Sequence, residues 1–146
     1  PNANNIVVAL GISADGKTVY AGGDFTTMGV AGVSRNYLAA IGTDGSLASW
    51  DPNVNNSVRA LVISVDGKTV YVGGWLTNVA GTNRGYLAAI GTDGSLGSWN
   101  PRADSIVYAL AVSADGKTVY MGGRFSNIGV VLRGNFAAIG TDGVLK

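Results

Sequence analysis

The sequence contains no cysteine and no histidine, and only 13% of its 146 residues are charged. The absence of cysteine excludes disulfide bonds and thiolate metal sites. Cysteine and histidine are also among the side chains that most often act as nucleophiles or acid–base groups near neutral pH. The sequence therefore predicts a protein that is not an enzyme and that needs no metal or other cofactor.

The few charges nearly cancel, with ten Lys and Arg against nine Asp and Glu and a net charge of +1. They are scattered along the chain, so the basic stripe that nucleic-acid binding requires is missing. No apolar run reaches the roughly eighteen residues of a membrane-spanning helix. No signal peptide is visible. The chain begins at Pro1 rather than Met, which is expected of a processed or partial chain.

What the chain does contain is an internal repeat. Gly-Lys-Thr-Val-Tyr begins at residues 16, 67 and 116, and Ala-Ala-Ile-Gly-Thr-Asp-Gly begins at residues 39, 88 and 137. These motifs divide the chain into three units of about fifty residues, which are 1–51, 52–100 and 101–146. The third unit ends without the Trp-Asn that closes the second, so its outer strand is expected to be incomplete.

Each unit is predicted to form four short antiparallel strands, which in the first unit are 6–13, 18–25, 37–42 and 46–50. Asp-Gly pairs precede the second and fourth strands, and they are strong hairpin signals because glycine adopts positive φ without steric cost. The first strand is apolar on both faces, with residues 7, 9 and 11 expected on one face and residues 8, 10 and 12 on the other. Such a sheet must be covered by neighbours on both sides.

Four short antiparallel strands in a unit of this length are typical of a β-propeller blade. A β-solenoid is the alternative, although its coils are usually shorter and lack paired hairpins. Propellers have about four to eight blades, so three units leave two edges open. Two interpretations follow: further blades belong to a longer chain, or blades of several copies associate, for example two chains giving six blades. We favour association between copies, as a closed ring or a filament.

The repeat also resembles the repeats of a known protein family. Val-Tyr-Ala-Leu-Ala-Val-Ser-Ala-Asp-Gly-Lys-Thr-Val-Tyr-Met-Gly-Gly-Arg-Phe at 107–125 resembles the delta-60 repeat family of bacterial β-propellers. Gly-Gly-Asp-Phe-Thr-Thr at 22–27 and Trp-Asp-Pro-Asn at 50–53 look like the same pattern, and Asp-Gly-Lys-Thr-Val-Tyr is similar to YVTN-type repeats. The resemblance implies an exported or cell-surface protein that provides a scaffold or a binding surface.

Two positions vary within this constant frame. One directly follows each Gly-Gly pair, and the other lies in the first strand of each unit, at Val8 in the first unit. A position that changes between acidic, aromatic and basic residues does not pack a uniform core, so these side chains are predicted to face solvent, a channel or a partner. The candidate binding residues are Asp24, Arg59, Trp75, Tyr108 and Arg124.

Other recurring residues are predicted to be structural. Arg35, Arg84 and Arg133 are expected to bond backbone carbonyls or a carboxylate of the adjacent blade, and Trp50 and Trp99 are expected to pack between blades. The Gly-Gly pairs are interpreted as sites of close backbone approach and not as phosphate loops. Six aspartates are expected to shape hairpin turns. They are Asp15, Asp44, Asp66, Asp93, Asp115 and Asp142.

The sequence thus favours a non-catalytic structural protein of exported or cell-surface type whose blades associate between copies. A module that binds a glycan or a protein through the variable positions is the alternative. A lyase or hydrolase of the propeller type is the least favoured hypothesis, because the residues for acid–base chemistry are missing.

Overall fold

The computed structural model describes residues 2–146, and Pro1, the first residue of the first predicted unit, lies outside it. Every regular element of the described chain is a β-strand, which confirms the all-β prediction. The strands are β1 Val7–Ile12, β2 Thr18–Gly23, β3 Thr27–Met28, β4 Val33–Ser34, β5 Leu38–Gly42, β6 Val58–Ile63, β7 Thr69–Gly74, β8 Asn78–Val79, β9 Thr82–Asn83, β10 Leu87–Gly91, β11 Val107–Val112, β12 Thr118–Gly123, β13 Asn127–Ile128, β14 Val131–Leu132 and β15 Phe136–Gly140.

The strands form three repeat-like units, each built on one antiparallel sheet of three strands. The sheets are β1-β2-β5, β6-β7-β10 and β11-β12-β15, with the second strand in the centre of each. The Asp-Gly turn joins the first two strands as predicted, and its glycine in the first unit, Gly16, has a φ of 69°. The sheets do not close into a ring within residues 2–146.

The predicted fourth strand is shorter than expected. In the first unit it is a single bridge between Ile41 and Leu47, flanked by hydrogen bonds from Gly42 N–H to Ser46 O and from Ala48 N–H to Ala40 O. The chain then leaves the sheet, and the Trp50 side chain bonds to the second unit. The same bridge forms in the third unit between residues 139 and 145, so its outer segment matches the other two as far as the chain extends.

The segment between the Gly-Gly pair and the third strand of each sheet contains a small hairpin that was not predicted. In each unit, two strands of two residues pair with each other, as β3 does with β4. The hairpin is followed by a residue with positive φ, which is Tyr37 at 63°, Tyr86 at 62° and Asn135 at 66°. Asn135 therefore matches Tyr37, and Phe136 matches Leu38 in its pairing with the Gly-Gly pair.

A β-bulge corrects the predicted faces of the first strand. Val7 pairs with Gly23 and Ala9 pairs with Gly22, so Val8 is the extra residue. The extra residue reverses the alternation, and side chains 7, 10 and 12 therefore share one face. The bulge recurs in the other two units, where Arg59 and Tyr108 take the place of Val8.

The three sheets stack face to face, with β1 beside β6 and β6 beside β11. Each boundary buries one apolar cluster that joins two successive units. One side comes from the tyrosine face of the preceding unit, which carries Tyr20, Leu38 and Ala40 in the first unit. The other comes from the valine face of the following unit. In the second unit its residues are Val58, Leu61, Val70, Val72 and Ile90.

Candidate functional site: two open sheet faces

The Gly-Gly pairs allow the sheets to approach closely. A Cβ atom added to Gly22 would lie 2.6 Å from Cγ1 of Val58, and one added to Gly73 would lie 2.7 Å from Cγ1 of Val107. Both valines are fully buried. The first glycine of each pair is therefore required where the valine of the next unit lies on it. The second glycine faces the bulge, since a Cβ on Gly23 would collide with the Ile6 carbonyl oxygen.

Each tryptophan at the end of a unit crosses the boundary to the next unit. The indole Nε1–H of Trp50 donates to the Gly91 carbonyl at 2.9 Å, and that of Trp99 donates to the Gly140 carbonyl at 2.9 Å. The Trp50 ring also meets Tyr20 edge-on, with ring centroids 5.0 Å apart. A buried indole N–H needs such an acceptor, so the bond fixes how one unit sits on the next.

The recurring arginines donate to backbone carbonyls, one of the two kinds of partner expected, and these carbonyls belong to their own units rather than to an adjacent blade. Arg35 Nη2 donates to the Ala48 carbonyl at 2.7 Å, and Arg84 Nη2 donates to the Gly97 carbonyl at 2.8 Å. Arg133 donates to the carbonyl of Leu132 at 3.0 Å. The first two guanidinium groups hold the outer segment of the unit against its small hairpin.

The six turn aspartates all accept hydrogen bonds within their own turns. Asp15 Oδ1 accepts from Ser13 Oγ at 2.6 Å and from Lys17 N–H at 3.0 Å. The serine hydroxyl is the main cause that lowers the pKa of Asp15, and matching serines lower the pKa of Asp66 and Asp115. Within residues 2–146, no three acidic side chains gather in a group that could hold a metal ion.

The first unit leaves its valine face open, because no unit of the described chain precedes it. Val7 is 38% exposed and Leu10 is 66% exposed, whereas Val58, the equivalent of Val7, is fully buried. An apolar groove of about 470 Å³ follows this face and is lined in part by Val7, Leu10, Ala21 and Gly42. Gly42 is the equivalent of Gly91, whose carbonyl accepts the tryptophan bond at the internal boundary.

The third unit leaves its tyrosine face open. Tyr120 is 40% exposed, whereas its equivalent Tyr20 is 4% exposed. Phe136 is 61% exposed, although its equivalent Leu38 is fully buried. The Tyr120 and Phe136 rings stack on each other with centroids 6.2 Å apart. The two ends of the stack therefore present opposite halves of one type of boundary.

The variable positions lie at the boundaries between units. Asp24 of the first unit forms a salt bridge of 3.0 Å with Arg59 of the second unit. Trp75 and Tyr108 hold the equivalent positions at the next boundary, and each is 43% exposed. Arg124 is exposed at the open end of the third unit. The structure thus distributes the candidate binding residues over the two boundaries and the open end of the third unit and does not gather them in one pocket.

Comparison with protein-family models and with curated proteins found no match for this chain. No helix in the described residues is long and apolar enough to cross a membrane.

Proposed function

We propose that the protein is a non-catalytic assembly module of the β-propeller type, whose units associate through sheet faces between copies. The observation that carries this proposal is the pair of open faces, each of which is apolar and matches a surface that is buried inside the chain. Large exposed apolar patches mark interaction sites, and their burial is worth about 25 cal/mol per Å².

The propeller arrangement is supported by how the units stack. Small antiparallel sheets pack face to face with their first strands adjacent, as the blades of a propeller do. Three units leave open the contacts by which other copies, or further blades of a longer chain, would extend the stack. The exported or cell-surface setting rests on the resemblance to delta-60 repeats.

The absence of catalysis is supported by the acidic side chains. The turn aspartates are engaged with serine hydroxyls and backbone N–H groups, as Asp15 is with Ser13 and Lys17. These bonds stabilise the ionised form and lower the pKa, whereas a general acid near neutral pH needs a raised one.

The mass of the protein in solution tests the proposal. We expect species larger than one chain in sedimentation velocity and native mass spectrometry, with their fraction rising with concentration. Leu10→Lys places a charge on the open valine face and should shift the protein to the monomer. Val30→Lys is the matched control, because Val30 is 99% exposed but lies in a loop. A protein that stays monomeric at all accessible concentrations would overturn the proposal.

A second candidate function is ligand binding at the boundary between the second and third units. Trp75 and Tyr108 are both 43% exposed there, and exposed aromatic rings are suited to stacking on sugars or on a protein surface. A glycan array with the wild type and Trp75→Ala tests this function. Binding that is equal in both proteins, or absent from both, would exclude it.

A further inference from the structure

At one position of the repeat, Gly122, no close contact within the described residues requires a glycine. Gly122 is the equivalent of Gly22 and Gly73, which lie under valines of the next unit. A Cβ added to Gly122 would meet nothing closer than 3.8 Å, where it would make ordinary contacts with Ala109 and Asn135. The φ of Gly122 is also not positive, so neither the space around it nor its backbone conformation requires glycine.

One valine of the repeat has no glycine beneath it. Val58 lies on Gly22 and Val107 lies on Gly73, and both valines are fully buried. Val7, their equivalent in the first unit, is 38% exposed on the open valine face. Within residues 2–146, one valine at one end of the stack therefore lies on no glycine, and one glycine at the other end is covered by no valine.

We propose that Val7 of one copy lies over Gly122 of a second copy, so that the third unit of one molecule packs on the first unit of another in the register of the internal boundaries. This inference rests on the proposed function and names the contact through which copies associate. The contact joins two different surfaces of the chain, so it builds either a closed ring or an open series.

Side-chain sizes at the two open faces support a second copy as the occupant. At the internal boundaries, Leu38 shares a cluster with Val72, and Leu87 shares a cluster with Met121. The equivalent residues on the open faces are the larger Phe136 and the smaller Ala21. Close packing tolerates exchanges that conserve total volume, so a large residue on one face is matched by a small one on the other.

Gly122→Val tests the contact. The added Cβ meets nothing closer than 3.8 Å in the single chain and lies on the open tyrosine face, so the melting temperature of dilute monomer should match that of the wild type. In the assembly it would overpack against Val7 and weaken self-association roughly tenfold or more. Gly134→Val is the matched control, because a Cβ at Gly134 meets nothing within 4 Å and its φ is not positive.

The exchange of the two residues provides a second variant. Val7→Gly combined with Gly122→Val moves the larger side chain to the other surface, and it should recover most of the affinity that Gly122→Val alone loses. This rescue also separates loss of contact from loss of fold. Unchanged self-association in Gly122→Val, or no rescue in the double variant, would overturn the Val7–Gly122 contact but leave the assembly function standing. A wild type that does not associate would overturn both.

Discussion

The two internal boundaries and the two ends of the stack are made of the same repeat, yet they differ in what covers them. At the boundary between the first two units, Val58 lies on Gly22 and Trp50 reaches the Gly91 carbonyl. At the ends, the equivalents Val7 and Gly122 are uncovered within the chain. One unit thus supplies only half of each cluster, which means that its stability depends on its neighbours. The predictions below test that dependence.

The largest difference in the free energy of unfolding is expected between two truncations at equivalent positions, one in a buried face and one in an open face. Leu87→Ala removes a fully buried side chain at the second boundary and should lower the free energy of unfolding by about 2–5 kcal/mol. Phe136→Ala, at the equivalent exposed position, should cost the monomer much less. Urea unfolding of both variants at low protein concentration measures the difference, and equal losses would contradict the comparison.

A smaller effect is expected from the bond between tryptophan and the next unit. Trp50→Phe keeps an aromatic ring in the boundary but removes the donor to the Gly91 carbonyl. The loss should be about 0.5–1.5 kcal/mol, the net value of one hydrogen bond, because the Gly94 N–H still donates to the Gly91 carbonyl at 2.9 Å. Trp75→Phe is the control. Because Trp75 is 43% exposed, this variant should unfold like the wild type. Identical unfolding curves for Trp50→Phe and the wild type would show that the bond is dispensable.

The smallest effect is expected from the turns, which recur equally in all units. The pKa of Asp15 is lowered below its ordinary value of 3.8, first by the Ser13 hydroxyl. A lowered folded pKa stabilises the protein above the unfolded value, and this contribution is lost as pH falls through the folded pKa. The melting temperature should therefore fall on acidification below about pH 4.

Replacing the three turn serines with alanine tests this pH dependence. The serines are Ser13, Ser64 and Ser113, and each donates to the aspartate of its turn. The variant should be less stable at neutral pH and should lose less stability on acidification. Melting temperatures from about pH 6 to about pH 2.5 provide the measurement. Parallel profiles for the two proteins would assign the acid sensitivity to other groups.

The sequence predicted the repeat and its hairpins because these depend on local residue chemistry. Asp15 and Gly16, between two apolar runs, are enough to predict a turn. The bulge at Val8 was missed because strict alternation was assumed, although the bulge explains why that position varies. The match between Phe136 and Leu38 can be read from the sequence, because each residue directly precedes the fixed Ala-Ala-Ile-Gly run.

Contacts between units were harder to predict. The acceptor for Trp50 is a backbone carbonyl, and every residue has one, so the sequence carries no mark of the bond. The arginines illustrate the same limit, because the carbonyl that Arg35 bonds belongs to Ala48 of its own unit. The salt bridge between Asp24 and Arg59 joins positions that vary independently of the motif, and only the stacking of the sheets brings them together.

The bulge has a consequence for which positions of the repeat can accept substitutions. In every unit the bulge adds one residue that has no partner on the neighbouring strand. This residue is Val8, Arg59 or Tyr108, and these side chains differ widely in chemistry. Substitutions at that residue alter charge or aromatic character along a row of unit edges, while the apolar layers that hold the stack are left intact. The residue that varies at the surface is therefore different from the residues that form the core.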